Sequence, residues 1–333
     1  MPSTPGAGAP PTASRLPSRW LYLRLTLVSA IWGGTFIAGK VLAGGLPPLL
    51  AASLRFAIAS ATLLGCLALT RTPLVRPAPG QMLRLSALGL LGVFGYNLFF
   101  FYGLQRIGAA RASLIVALNP AMIALASFLL LKEVLPPLKL VGVALCLAGA
   151  GLVIIGKNPG ALAGAADGGG DLLILGCVAC WAAYSVGSRG LSQALGPLQT
   201  ATWSILLGTA MLWLAAWLRG DASLAAIGKL DAAQWGGLLY LGALGSALAY
   251  IWYYDGIRRI GAARAGLFIA LNPLCAVLLG AGLLGERLSL EMAVGGALAI
   301  AGIALGNRAP GAASRPPVQP EPCFRCQPAG GNG

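Results

Sequence analysis

The 333-residue chain contains no histidine, and only nine of its residues are aspartate or glutamate. Metal catalysis and imidazole proton transfer have almost no raw material here, so the composition argues against an enzyme. Charged residues of both signs make up 10% of the chain against 57% hydrophobic, at a mean hydropathy of +0.80. That leaves too little polar surface to cover a water-soluble globule and places the chain in a lipid bilayer. A net charge of +14 would suit a nucleic-acid reader, but such proteins gather Lys and Arg on soluble faces, whereas here the cations punctuate apolar runs. No nucleic-acid partner is expected.

A disulfide framework is missing too. Five of the seven cysteines (Cys66, Cys146, Cys177, Cys180, Cys275) lie inside apolar stretches, where they pack as small apolar side chains. Cys323 and Cys326 form one C-x-x-C in a Pro/Gly-rich tail, and a structural zinc needs about four ligands. The tail is read as unstructured, with neither metal nor cofactor expected.

What the chain has instead is long apolar runs. They fall at residues 22–42, 48–70, 82–105, 108–131, 137–157, 171–190, 197–218, 233–256, 261–284 and 289–308, each approaching the roughly 20 residues that a helix needs to span hydrocarbon. The pattern predicts an all-α integral membrane protein of ten transmembrane helices. Residues 1–19 read as a disordered tail without a cleavable-signal pattern, 158–170 as a flexible Gly/Ala-rich linker, and 309–333 as a second disordered tail. The linker separates a first half, 20–157, from a second, 171–308.

The halves are copies. The segment from Arg106 to Asn119-Pro120 returns as Arg259 to Asn272-Pro273 with 12 of 15 positions identical, at an offset of 153 that also relates Glu133 to Glu286. Earlier in each half the offset is 149, relating Trp32 to Trp181, Lys40 to Arg189 and Pro48 to Pro197. Five spans is an odd number, so the second copy enters the membrane from the opposite side and the repeat is inverted, a layout from which many secondary transporters are built. With the N-terminus inside, 15 of the 23 Lys and Arg fall on inside segments and 7 on outside ones, Arg55 lying within the second span. Both termini are therefore expected to be cytoplasmic.

Several residues stand out within the spans. Pro120 and Pro273 remove a backbone donor in mid-span and kink their helices, and the preceding Asn119 and Asn272 either satisfy the disrupted backbone or line a cavity. Arg55 sits about seven residues into its span, roughly 10 Å deep at 1.5 Å per residue. A charge at that depth is costly and usually faces a protein interior, with a substrate carboxylate or backbone carbonyls as partners. Its equivalent at the 149 offset is Ser204, so this feature breaks the symmetry. Aromatic residues gather late in spans three and eight (Tyr96, Phe99, Phe100, Phe101, Tyr102; Tyr250, Trp252, Tyr253, Tyr254), as interface belts or as a surface for stacking on cargo, with Trp32 and Trp181 also available. Asp255 is a candidate for a coupling proton, against pairing with Arg258 or Arg259 at the membrane edge. Glu133 and Glu286 read as span-end markers beside Lys132 and Arg287, and Gly302-Ile-Ala-Leu-Gly306 permits close helix approach, either within the chain or at the seam of a homodimer.

Ten spans in two halves, the Gly-Ala-x-Arg-Ala starts, the mid-span prolines, the closing Glu133 and Gly285-Glu286, and the Gly-rich last helix are similar to the drug/metabolite transporter superfamily, EamA type. Trp32-Gly33-Gly34 and Leu54-Arg55-Phe56 also resemble that family's first and second helices, over about residues 20–308. One departure is Leu131-Lys132, where the family more often has Leu-Gly. The resemblance implies a plasma-membrane (bacterial inner-membrane) exporter or exchanger of small metabolites, commonly amino acids, working by alternating access without ATP. Its cavity would lie between spans one, three, four, six, eight and nine, lined by Trp32, Arg55, Asn97, Asn119, Trp181, Tyr184, Tyr250, Tyr254 and Asn272, with lipid and a small-molecule substrate as partners. A non-transporting membrane receptor or assembly scaffold with a similar cavity is the alternative.

Overall fold

In lipid the backbone can pair only with itself, so continuous apolar runs resolve into helices. The computed structural model describes residues 18–132, 135–155, 169–222, 227–260, 268 and 271–308, without the side chains of 18, 131, 254, 257–260 and 307, and every described element is helical. The first two spans are α1 (Ser18–Gly45) and α2 (Pro48–Leu69). The third is α3 (Pro79–Leu88), a π-helical stretch Gly89–Gly95 and α4 (Tyr96–Arg106), and the fourth is α5 (Ala109–Val116) and α6 (Asn119–Leu131). Then come α7 (Pro137–Ile155), α8 (Gly169–Leu195) and α9 (Pro197–Leu218). The eighth span is α10 (Ala232–Leu239), a second π stretch Tyr240–Leu248 and α11 (Ala249–Ile260), followed by α12 (Asn272–Leu284) and α13 (Leu290–Arg308). Proline opens α2, α3, α7 and α9, where its missing N–H is an orphan in any case and its φ suits the first turn.

Eight helices are long and apolar enough to cross a membrane, and two shorter apolar ones, Asn272–Leu284 and Leu290–Gly306, complete ten. Most packing runs between the halves: α1 lies against the eighth and ninth spans, α8 against the third and fourth, α2 against α9, and α7 against α13. Each contact has its repeat-related partner. A Cβ on Gly142 would sit 2.6 Å from the Gly302 carbonyl oxygen, and one on Gly149 would sit 2.5 Å from that of Gly295. Residue numbers rise along α7 as they fall along α13, so these equivalent helices are antiparallel and the two repeats are inverted. Gly302 is thus spent on an intramolecular seam rather than left for a dimer.

The same relation holds at α2. A Cβ on Gly242 would meet the Arg55 carbonyl at 2.7 Å, and one on Gly89, its repeat mate, would meet the Ser204 carbonyl at 2.8 Å. Gly89 opens one π stretch and Gly242 lies within the other; such stretches widen the helix by about one residue per turn and turn backbone groups towards the neighbouring span. The core between the halves is built from Leu42, Leu50, Phe100, Phe101 and Leu104, all 2% exposed or less, while Leu129, Leu130 and Leu283 point outwards as a lipid-facing surface requires.

Candidate functional site

Arg55 is buried on α2, and the two groups that hold it come from opposite halves. One guanidinium nitrogen donates to Asn97 Oδ1 at 3.0 Å from the third span, and another reaches Ser246 Oγ at 3.4 Å from the π stretch of the eighth. Asn97 is itself oriented by donating to the Val93 carbonyl at 2.7 Å, and Ser246 by donating to the Leu241 carbonyl five residues back at 2.9 Å, a reach the π geometry provides. The guanidinium also lies 5.2 Å from the Phe56 ring centre and 5.8 Å from that of Phe100. Nε has no partner, and among the described residues no carboxylate lies within ion-pair distance. The positive charge is solvated by dipoles and rings alone.

Two aromatic groups flank it. On one side Phe100 stacks on Tyr96 (6.0 Å), Tyr96 meets Trp181 (5.7 Å), and Trp181 stacks on Tyr184 (5.4 Å), whose hydroxyl lies 3.3 Å from Ser204 Oγ. On the other, Trp32 packs edge-on against Tyr250 (5.5 Å) and Tyr253 (5.3 Å) and donates through Nε1 to the Gly245 carbonyl at 3.0 Å. Gly245 adjoins Ser246, so the π stretch joins this second group to Arg55, as Phe100 joins the first. Phe100 and Phe101 are buried in the core and serve no membrane-interface belt.

Asn119 and Asn272 begin α6 and α12 with Pro120 and Pro273 in the first turn, so the fourth span is broken in mid-course at Ala117-Leu118. Each Asn Oδ1 is buried without a hydrogen-bond partner, leaving two unspent acceptors at repeat-related positions. The chain therefore brings Arg55 and Asn97 into contact, Trp32 with Tyr250, and Trp181 with Tyr184, as separate clusters linked through Phe100 and Ser246. Asp255 lies on α11, half-buried and engaged by a neighbour. The side chain of Tyr254, Glu133 and the segment 261–267 lie outside the described residues.

Several groups escaped the sequence reading. Glu286 does more than mark a span end: its carboxylate accepts from the backbone N–H of Ala109 at 2.7 Å and Ala110 at 2.9 Å, capping α5 in the other repeat. Beside it, Lys40 Nζ donates to the carbonyls of Leu104 at 2.6 Å and Ile107 at 2.9 Å at the end of α4. Arg111 forms a bidentate pair with buried Asp171 (2.8 and 2.6 Å) and donates to the Ile154 carbonyl at 2.9 Å, tying spans four, five and six together. All three contacts lie on the face opposite the termini. The signals were present: Asp171 is an acid at the mouth of an apolar run, and Gly89 and Gly92 return as Gly242 and Gly245 at the 153 offset.

A multi-span protein of two inverted five-helix repeats, with a buried cation and aromatic groups where they meet, defines the class of membrane transporters. Residues 19–155 and 168–308 each match the EamA-like transporter family, and the chain belongs to that family. An uncharacterized transporter of Archaeoglobus fulgidus is 31% identical over 285 residues, covering 85% of this chain and 96% of its own. The uncharacterized inner membrane transporter YedA of Escherichia coli K12 is 30% identical over 272 residues, covering 81% and 84% respectively. The uncharacterized transporter YyaM of Bacillus subtilis is 27% identical over 283 residues, covering 85% and 92%. A crystal structure aligns at a TM-score of 0.61 and 25% identity, over 86% of this chain and 97% of the other.

Proposed function

We propose that this protein is a secondary transporter that exports small metabolites such as amino acids across the bacterial plasma (inner) membrane by alternating access, with both termini cytoplasmic. The observation that carries this reading is Arg55, a cation inside the membrane with no carboxylate partner among the described residues, held by Asn97 of one repeat and Ser246 of the other. A guanidinium solvated by neutral dipoles gains a charge-assisted bond when a cargo carboxylate arrives. Rocking the halves against each other moves its two partners in opposite senses, so binding and rearrangement are joined at one side chain. The Trp32–Tyr250 and Trp181–Tyr184 pairs supply ring faces for the apolar part of a cargo, and the unspent Asn119 and Asn272 oxygens supply acceptors for an ammonium. Around Arg55 the rings touch, so a cargo must part them. Asp255 is the candidate for proton coupling.

The test is net efflux of amino acids and related metabolites from proteoliposomes. Wild-type protein should move at least one of them. Arg55→Ala protein that still inserts should lose about tenfold or more in flux, the equivalent of one charge-assisted hydrogen bond. Correctly inserted wild-type protein that moves nothing in a broad screen would sink the proposal.

A further inference from the structure

A π-helix is a marginal conformation, and the register of its wide turn decides which way each side chain on it points. In the eighth span that register matters, because the stretch Tyr240–Leu248 aims Ser246 at Arg55 and offers the Gly245 carbonyl to Trp32. The first residue of the stretch, Tyr240, donates its hydroxyl to the Ile31 carbonyl on α1 at 2.8 Å. The ring reaches that carbonyl by lying over Gly34: a Cβ there would overlap the hydroxyl and sit 2.9 Å from Cζ. One π turn further along, Trp32 Nε1 closes on Gly245, where a Cβ would lie 2.9 Å from Thr35 Cγ2. Two hydrogen bonds running in opposite directions thus clip residues 31–35 of α1 to the start and the middle of the π stretch. Gly33, next to the socket, lets the other side of α1 press on span nine, since a Cβ on it would lie 3.0 Å from the Asn272 carbonyl oxygen.

The duplication supplies an internal comparison. The repeat mates of Tyr240 and Gly34 are Ala87 and Ala183, so tyrosine and glycine occur together in one half, alanine and alanine in the other. The first-half π stretch, Gly89–Gly95, forms all the same. The clip is therefore not needed to make a π turn. The other difference lies on the cargo side: the mate of Ser246 is Val93, whose side chain carries no polar group. The repeat that has the clip is the one whose π stretch supplies Arg55 with a partner.

We infer that Tyr240 is a positioning residue for the cargo site: its hydroxyl, seated on Gly34 and bonded to Ile31, holds α1 and the π stretch in the register that fixes Trp32 beside Tyr250 and Ser246 beside Arg55. This role rests on the transport reading of the Arg55 site, and Tyr240 acts on cargo only through those two side chains. Without the hydroxyl, α1 is free to slide on the eighth span, and the indole and the serine no longer present themselves to cargo and Arg55 together.

Tyr240→Phe removes the oxygen and keeps the ring. In proteoliposome efflux it should raise KM about fivefold, as for the loss of one neutral hydrogen bond, with the maximal rate unchanged, because misplaced walls weaken the hold on cargo equally at rest and in passage. A cargo-free readout comes from 5-fluorotryptophan incorporated into the full-length protein in nanodiscs, where the Trp32 line among the eight tryptophans is assigned by its loss in Trp32→Phe. That fluorine line should be single in wild type and shifted or split in Tyr240→Phe. Gly34→Ala, which expels the ring, should melt earlier than wild type. Adding Tyr240→Ala recreates the alanine pair of the other repeat and should restore the melting temperature, while KM stays raised and the Trp32 line displaced. A wild-type line in Tyr240→Phe overturns the clip. A wild-type line and KM in the double variant would assign Tyr240 to packing alone and overturn the positioning role. Failure of wild-type protein to move any cargo would instead overturn the transport reading, and the fluorine lines would still decide whether Tyr240 places Trp32.

Discussion

Ser60 and Thr209, equivalent in the two repeats at an offset of 149, hydrogen-bond to each other at 3.0 Å. A residue touches its own counterpart only on the axis that relates the copies, so the pseudo-two-fold passes between α2 and α9 at this pair. It leaves the molecule again between α7 and α13, where Cys146 Sγ approaches the carbonyl of its mate Ala299 at 3.5 Å. Arg55 lies one helical turn or so from the first crossing, so it faces both halves, while its repeat equivalent Ser204 carries no charge.

The face opposite the termini carries polar contacts, of which Glu286 on α5 and the Arg111–Asp171 pair bridge the repeats. Removing that carboxylate in Glu286→Ala leaves two N–H groups uncapped and should cost about 1 kcal/mol, as for a charge at a helix N-terminus. Cysteine placed at position 109, in a background without the native cysteines, should then react faster with an impermeant thiol reagent added from that side. Glu286→Gln, which can still accept one bond, should fall between the two. An unchanged labelling rate in Glu286→Ala would show that the contact is no latch.

The Arg111–Asp171 pair is buried, and breaking one side leaves the other charge uncompensated. Asp171→Asn should lower stability by about 3 kcal/mol, and replacing both residues by apolar ones of similar volume should recover most of it. The repeat position of Asp171 is occupied by Tyr22, which stacks on Phe268 at 5.9 Å, so the helix pairing itself does not demand an acid there. Thermal melts of the two variants in one detergent give the comparison. Equal loss in the single and double variants would mean that packing, rather than charge, is at stake.

Lys132 ends α6 at φ 54°, in the left-handed region, just as its mate Gly285 ends α12 at φ 64°. The departure from Leu-Gly noted in the sequence changes the residue but not the turn. Lysine pays for its Cβ there, so Lys132→Gly should stabilise by about 0.5–1 kcal/mol, read as a higher melting temperature, and Gly285→Lys should lose a similar amount.

The duplication made much of this legible beforehand. Counting spans and noting that five is odd predicts inversion, and the antiparallel Gly142–Gly302 and Gly149–Gly295 contacts are that inversion in space. Arg55 was marked by its depth alone. Its partner Ser246 carried no such mark, because a serine in an apolar run is unremarked until a π turn aims it across to another span. The aromatic residues late in span three were ambiguous for a related reason: periodicity gives the side of a helix, but it does not say whether that side meets lipid or protein. Phe100 and Phe101 proved to be core.

By itself the sequence determined the solvent, the number of spans and the symmetry, because each follows from local hydrophobicity and from identity at a fixed offset. Only the tertiary structure decided which polar groups meet. It paired Arg55 with Asn97 and Ser246, Glu286 with the start of α5, and Arg111 with Asp171. Those pairings span 42 to 191 residues, and they depend on helix rotation about its own axis, which is set by the packing of the opposing face and is not written in any one segment.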